Sequence, residues 1–403
     1  VLVNKNLYKK QILMFPFILV FLEIVTFLST DMYLPALPRI ATDFNITEEQ
    51  AQYTQALWFM GSMSMQLFLG PLSERYGRKA VLSTGIIIFI LTSAICALTN
   101  DITIFSWARF FQGTTVCAVI VAGYATIHEI YSGKQAVQIL AIMGSVTILA
   151  PALGPFCGAV IIEFSSWQNI FSLLAGAATL GLLGLYIFMP KQSVDSIGKL
   201  DAVKLVDIWV NYKNIVSNKI FMCLALLNGM LIINFFMWLV ESPFIIIKQY
   251  NKSEVYFGLA QLFVFSGYIC GAQLAKKLVD KITAKQICTL GLSIVGSSLI
   301  LLIIFSYFDF SITLNIVAMV GVALGSASLS GLLNRMAIES AREPMAQRVA
   351  IYSLIISLAA CVGSYFVTLI DDMSFYNISL LMFGCYFIAL AVYSNVKNYI
   401  KLN

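Results

Sequence analysis

Twelve largely apolar runs, each long enough to cross a bilayer or nearly so, follow one another along this chain of 403 residues. A helix needs about 20 such residues to span the hydrocarbon layer. The runs lie near residues 12–37, 50–70, 80–99, 103–128, 136–163, 167–189, 219–249, 254–275, 285–306, 313–336, 348–370 and 377–396. Backbone polar groups in lipid must be satisfied inside the protein, which leaves helices or closed barrels. Runs this long and continuous predict helices. Composition agrees, with 60% hydrophobic and 11% charged residues, where a soluble domain carries roughly 25% charged. Such a chain cannot cover its surface with polar groups, so much of it faces lipid.

The basic residues set the expected orientation. With the N-terminus in the cytoplasm, cytoplasmic segments hold 21 of the 25 lysines and arginines. The opposite loops hold three, Arg39, Lys248 and Lys252, and Arg109 falls inside a span. This bias follows the positive-inside rule and places both termini in the cytoplasm. The basic start (Lys5, Lys9, Lys10) runs straight into the first span with no small-residue cleavage site after it, so that span is expected to be retained.

Residues 190–218 form the longest loop. Leu200, Val203, Lys204, Asp207 and Ile208 alternate there as a short amphipathic helix would. The expected organisation is an N-terminal six-helix bundle over 1–189, a cytoplasmic linker over 190–218 and a C-terminal six-helix bundle over 219–403. The fold class is an all-α membrane protein of 12 transmembrane helices in two pseudo-symmetric six-helix bundles, an arrangement common among transporters with internal repeats. A weak echo supports it. Gly70-Pro-Leu-Ser-Glu-Arg-Tyr-Gly-Arg-Lys79 follows the second span, and Gly271 with Lys276, Lys277, Asp280 and Lys281 follows the eighth.

Several function classes find no support. All eight cysteines lie in apolar runs without a CxxC pair, and His128 is the one histidine. They read as buried apolar residues rather than disulfides or metal ligands. The sequence has no complete phosphate-binding loop, no HExxH and no GxSxG. No enzyme chemistry, no metal, no cofactor and no nucleic-acid partner is expected.

Four ionisable residues interrupt the apolar spans: Glu23, Asp31, Arg109 and Glu241. A charge at a helix centre costs roughly 2.5–3.5 kcal/mol on insertion scales, and such residues usually face a bundle interior. Glu23 and Asp31 share the first span, about 12 Å apart along its axis and roughly 80° apart around it. Both can line one cavity at two depths. Desolvation favours the neutral form of a carboxyl in an apolar cavity, so such a group can take a proton on one side and release it on the other. Arg109 keeps its charge and needs an acceptor, which Asp31 or backbone carbonyls of the first span can supply. Gln112 shares its face, and Gly113 allows close helix approach. Glu241, before Ser242 and Pro243, either faces a cavity opposite Asp31 or reaches water near the outer end. Phe235, Phe236, Trp238, Trp58, Phe59 and Tyr124 are candidate cavity aromatics. Glu23, Asp31, Tyr124, Phe235, Phe236, Trp238 and Glu241 make up the expected substrate site.

Four segments also carry a family resemblance. Ser29-Thr-Asp-Met-Tyr-Leu-Pro-Ala-Leu-Pro38, Gly70-Pro-Leu-Ser-Glu-Arg-Tyr-Gly-Arg-Lys79, Arg109-Phe-Phe-Gln-Gly113 and Ala150-Pro-Ala-Leu-Gly-Pro-Phe-Cys-Gly158 occur in order along the first half. In these the chain resembles the major facilitator superfamily, and within it the twelve-helix drug/proton antiporters of the Bcr/CflA and MdfA type. The resemblance implies a rocker-switch antiporter of the bacterial inner membrane. It exports small, largely apolar compounds such as drugs, draws on the proton gradient and acts as a monomer. A metabolite or siderophore transporter of the same fold, with import as a further option, is the alternative. Asp31 and Glu23 would be the proton and substrate acids and Arg109 the partner that senses them. Pro151, Gly154 and Pro155 would shape the fifth-span bend, and Gly70, Glu74, Arg75, Gly77 and Arg78 a cytoplasmic latch. Two departures stand out. The loop motif usually has Asp where this chain has Glu74, and MdfA-like proteins usually have a neutral residue in place of Glu241.

The expected orientation is testable with reporters fused after residue 403. A fluorescent protein, which matures in the cytoplasm, is expected to glow, and alkaline phosphatase, which needs the opposite side, to stay inactive.

Overall fold

The computed structural model describes residues 5–131, 133–189, 205–369 and 374–402. Among these there is no strand, and each of the twelve apolar runs carries helix. The α-helices are α1 (Lys5–Asp31), α2 (Leu37–Asp43), α3 (Glu48–Met65), α4 (Leu69–Tyr76), α5 (Arg78–Leu98), α6 (Ile102–Ala118), α7 (Tyr124–Ile130), α8 (Gly133–Phe164), α9 (Gln168–Phe188), α10 (Leu205–Ser217), α11 (Lys219–Pro243), α12 (Glu254–Leu278), α13 (Ala284–Tyr307), α14 (Ile312–Ser340), α15 (Met345–Val367) and α16 (Phe375–Leu402). A 3₁₀ turn (Leu34–Ala36) joins α1 to α2, and π-helical turns extend α6 (Val119–Gly123) and α11 (Phe244–Gln249).

Among the described residues, ten helices are long and apolar enough to cross a membrane. The other two expected spans fall on α3 and α8. α3 turns Gln52, Thr54, Gln55 and Ser62 into the interior, so its mean hydropathy drops although the helix is buried. The apolar stretch of α8 within the described residues is Leu149–Phe164.

The polar links between spans supply helix caps. The Asp101 side chain accepts from the backbone N–H groups of Thr103 and Ile104 at the start of α6. These bonds, Ile104 first, hold its carboxyl below the usual carboxylate range. Asn218 caps α11 in the same way, Ser253 caps α12, and Thr283 with Gln286 forms a capping box on α13. Such caps satisfy N–H groups that have no partner within the helix.

The chain forms two compact units. The first comprises Val1–Tyr33 and Leu57–Val203, the second Leu34–Ala56 and Lys204–Asn403. The segment 34–56 thus belongs with the second unit, a grouping that position along the chain does not reveal. In the first unit α1 packs on α8 and α9, and α5 packs on α6 and α9. In the second, α11 packs on α14, α15 and α16, and α14 also holds α12 and α13. Of the expected linker, residues 190–204 lie outside the described residues, as does the side-chain alternation read at Leu200–Ile208. From Leu205 onward it forms α10, which packs on α11 and α15.

Close helix contact rests on glycines, as in other membrane bundles where dispersion replaces the hydrophobic effect. A Cβ on Gly61 would overlap the Phe110 carbonyl, and one on Gly113 would overlap the Trp58 carbonyl. The two glycines let α3 and α6 touch backbone to backbone. In the second unit Gly271 of α12 meets the Leu324 carbonyl of α14 in the same manner. Gly113→Leu is therefore expected to abolish the folded protein, read as loss of a monodisperse peak on gel filtration. Gly176→Leu is expected to be tolerated, because nothing lies within 4 Å of a Cβ there.

Candidate functional site

The first unit gathers three of the four intramembrane charges. α1 stops being α-helical at Asp31 because Pro35 has no N–H to donate to the Asp31 carbonyl. The helix end leaves carbonyls to be satisfied from outside, and Arg109 of α6 does so. Its Nη1 donates to the Ser29 carbonyl at 2.9 Å and to Oε1 of Gln112. Gln112 Nε2 in turn donates to Ser93 Oγ of α5 at 2.8 Å. The guanidinium lies over the Tyr33 ring, 4.1 Å from its centroid, and 5.8 Å from that of Phe171 on α9. Arg109 and Gln112 are both fully buried. One cation thus joins α1, α5, α6 and α9 through neutral acceptors and aromatic faces.

Asp31 sits beside this group. It is buried, and the Arg109 charge is within electrostatic reach. Its Oδ2 has no hydrogen-bond partner among the described residues. On its other side a Cβ on Gly154 would come within 2.7 Å of Asp31 Cβ, and one on Gly158 would overlap the Met32 carbonyl. The small residues of α8 therefore let its backbone close over the end of α1. Pro151 and Pro155 lie inside the same helix. Each removes one backbone hydrogen bond, which places two gaps in the α8 ladder around the glycine that faces Asp31.

Glu23 lies two turns deeper on α1 and is fully buried. Tyr124 Oη donates to its Oε1 at 2.9 Å. Tyr124 opens α7, directly after the π-helical turn 119–123. That turn resets the helix phase between Arg109 and Tyr124, so that one continuous span serves both acids. π-turns of this kind recur at functional sites. No sequence signal marked this one.

Glu241 belongs to the second unit. It does not reach water, being 1% exposed, and Gln52 Nε2 of α3 donates to its Oε2 at 2.7 Å. Next to it Ser242 Oγ accepts from Gln261 Nε2 at 2.8 Å, and Gln261 Oε1 accepts from the Trp238 indole at 3.2 Å. Trp238 also stacks on Phe375, with centroids 5.6 Å apart. Phe235 packs edge-on against Phe236 and Phe265 and tilts over Tyr268. Lower on α11, Asn228 Nδ2 donates to Tyr352 Oη and its Oδ1 accepts from Ser330 Oγ, both at 2.8 Å. Gln52, Gln261, Asn228, Asn234 and Asn315 are all buried, and sequence reading did not single them out. Their signal, an amide at a position where an apolar residue would be cheaper, was present but weaker than a charge.

The loop motif is partly described. Gly77 joins α4 to α5 at φ 88°, a conformation that L side chains rarely adopt. Arg78 Nη1 donates to Ser73 Oγ, and the Arg75 guanidinium lies 5.4 Å from the Tyr76 ring centroid. Gly70 has open space where a Cβ would go. The side chains of Glu74, His128 and Glu129 lie outside the described ones.

Comparison with known proteins decides the family. The sequence model described as Major Facilitator Superfamily matches residues 19–396. The chain belongs to the major facilitator superfamily. It is 33% identical over 292 residues to the chloramphenicol resistance protein CraA of Acinetobacter baumannii, covering 72% of this chain and 70% of that one. It is 31% identical over 282 residues to the multidrug transporter MdfA of Yersinia pestis, covering 70% and 68%. Among solved structures, a D-xylose–proton symporter superposes with a TM-score of 0.75 at 16% identity, over 95% of this chain and 97% of that one. A bacterial homologue of the human lysosomal transporter Spinster, inward-facing and unoccupied, gives 0.73 at 13%, over 98% of each. At such identities these two show the fold alone. The protein is a multi-pass membrane protein of this superfamily's fold.

Arg109→Lys is expected to lower the midpoint of thermal unfolding in detergent, because an ammonium keeps the charge but loses the planar fork and its stacking on Tyr33. Arg109→Ala is expected to cost more, about 3 kcal/mol, since the Asp31 carboxyl and the Ser29 carbonyl then lose their buried partner.

Proposed function

We propose that the protein is a proton-coupled antiporter that exports small, largely apolar compounds, antibiotics among them, by alternating access. It works in the bacterial inner membrane with both termini in the cytoplasm, as a monomer, and draws on the proton gradient rather than on a cofactor. The observation that carries this reading is the Asp31 carboxyl, buried beside a fully buried Arg109 and with one oxygen that has no hydrogen-bond partner among the described residues. The printed names of CraA and MdfA, a chloramphenicol resistance protein and a multidrug transporter, support the export of drugs.

The geometry suits an exchange of charge at Asp31. Ionised, its carboxylate is stabilised by the Arg109 guanidinium. Protonated, it leaves Arg109 with the Ser29 carbonyl, Gln112 and the Tyr33 ring, all of them neutral. Neither state strands a bare cation in a low dielectric. Release of the proton when substrate arrives, and its uptake when substrate leaves, would couple the two fluxes. Glu23, tied to Tyr124, offers a second acid on the same helix for polar or cationic groups of the cargo. Gly154 and Gly158 let α8 follow movements of the α1 end at close range.

Everted membrane vesicles with an acidic interior provide the test. Chloramphenicol and a panel of lipophilic cations are expected to enter them and to release protons. Asp31→Asn is expected to cut proton-driven uptake by about tenfold or more, as fits an intramembrane acid with a direct role. Unchanged uptake in that variant would sink the mechanism.

A further inference from the structure

Glu241 has no part in the mechanism above, yet its setting mirrors that of Asp31. Asp31 ends α1, after which Pro35 lies in a 3₁₀ turn. Glu241 lies two residues before Pro243, where α11 gives way to the π-helical turn 244–249. Each acid thus sits where a span leaves α-helical geometry next to a proline, one in each compact unit. Glu241 is 1% exposed, its Oε2 accepts from Gln52, and its Oε1 has no hydrogen-bond partner among the described residues.

The charged groups around it are accounted for. From α3, Glu48 and Glu49 act on it. Lys248, in the π-helical turn, pairs with Glu48 at 2.6 Å, and Arg39 of α2 pairs with Glu254 of α12 at 2.6 Å. Tyr250 donates to Asp309 at 3.1 Å, and Tyr365 of α15 packs edge-on against Tyr53 of α3. Among the described residues no basic side chain lies within salt-bridge distance of Glu241. Its partner is a neutral amide, and an amide serves either charge state. It donates N–H to a carboxylate, and after rotation it accepts O–H through its oxygen. An enclosed carboxyl oxygen without a hydrogen-bond partner among the described residues can carry a hydrogen.

We propose that Glu241 is a second proton-exchanging carboxyl, held by Gln52 in the second unit and separate from Asp31 and Glu23 in the first. This rests on the proton-coupled reading. The step is a single proton transfer. Hydronium from water on the side the site opens to gives a proton to the Glu241 carboxylate, leaving a water molecule and the neutral acid, and the Gln52 amide changes from donor to acceptor. The reverse transfer to water on the other side restores the carboxylate. A chain with one such site in each unit would move more protons per substrate than one relying on the first unit.

Two measurements on the purified full-length chain test this. In an infrared pH titration, Glu241→Gln is expected to remove one titrating carboxyl, Glu241→Asp to keep it, and Gln52→Leu to shift its midpoint. In proteoliposomes transporting radiolabelled chloramphenicol, Glu241→Gln is expected to reduce the protons moved per substrate to about half, as fits loss of one of two proton-exchanging acids, Asp31 and Glu241, with Glu23 left to the cargo. A titration unchanged in Glu241→Gln but altered in Asp31→Asn overturns this inference and leaves the transport reading standing. Absence of substrate-coupled proton flux in the wild type overturns the transport reading, and the infrared titration then decides Glu241 alone.

Discussion

A fully buried guanidinium must find acceptors, and the first unit is arranged around that demand. Arg109 cannot shed its charge, so α1, α5, α6 and α9 converge on it with a carbonyl, an amide relayed to a serine, and two aromatic faces. The break in α1 at Asp31 is part of the same solution. A continuous helix would have consumed the Ser29 carbonyl, whereas a helix ended before Pro35 leaves it for Arg109. The acid is thereby held at a helix end, beside a cation that has other neutral partners. In the proposed mechanism that combination lets the carboxyl change charge without collapsing its surroundings.

Backbone proximity supports the arrangement. Gly61 and Gly113 bring α3 against α6, and Gly154 and Gly158 bring α8 against the Asp31 end of α1. Gly267 and Gly271 do the same between α12 and α14 in the second unit. Contacts of this kind tolerate sliding because no side chain interlocks. They also exclude even one added methyl. In the second unit the polar bonds run through α11 instead, by way of Asn228, Trp238, Glu241 and Ser242.

Much of this was legible in the order of residues. The apolar runs announce their helices because lipid permits little else, and the four intramembrane charges announce themselves because each is costly. An arginine in a span needs a carbonyl of the first span or Asp31, and Arg109 takes the Ser29 carbonyl with Asp31 nearby. The π-turns at 119–123 and 244–249 were not legible, because a one-residue change of helix phase leaves no mark in an apolar run. Gln52 carries little mark in the sequence because an amide in a span is a weak signal until its partner is known. Its bond to Glu241 joins residues 189 apart.

The sequence by itself determined that this chain lives in a membrane as a bundle of helices, and which few charged residues interrupt its spans. Hydrophobic length and the cost of charge in lipid are local properties, readable one span at a time. Only the tertiary structure decided the partners: that Glu23 meets Tyr124, that Gly154 faces Asp31, and that residues 34–56 belong with the second unit. Those pairings depend on how separate helices come into contact, and the lipid-driven pattern within any one helix is the same whichever neighbour it meets.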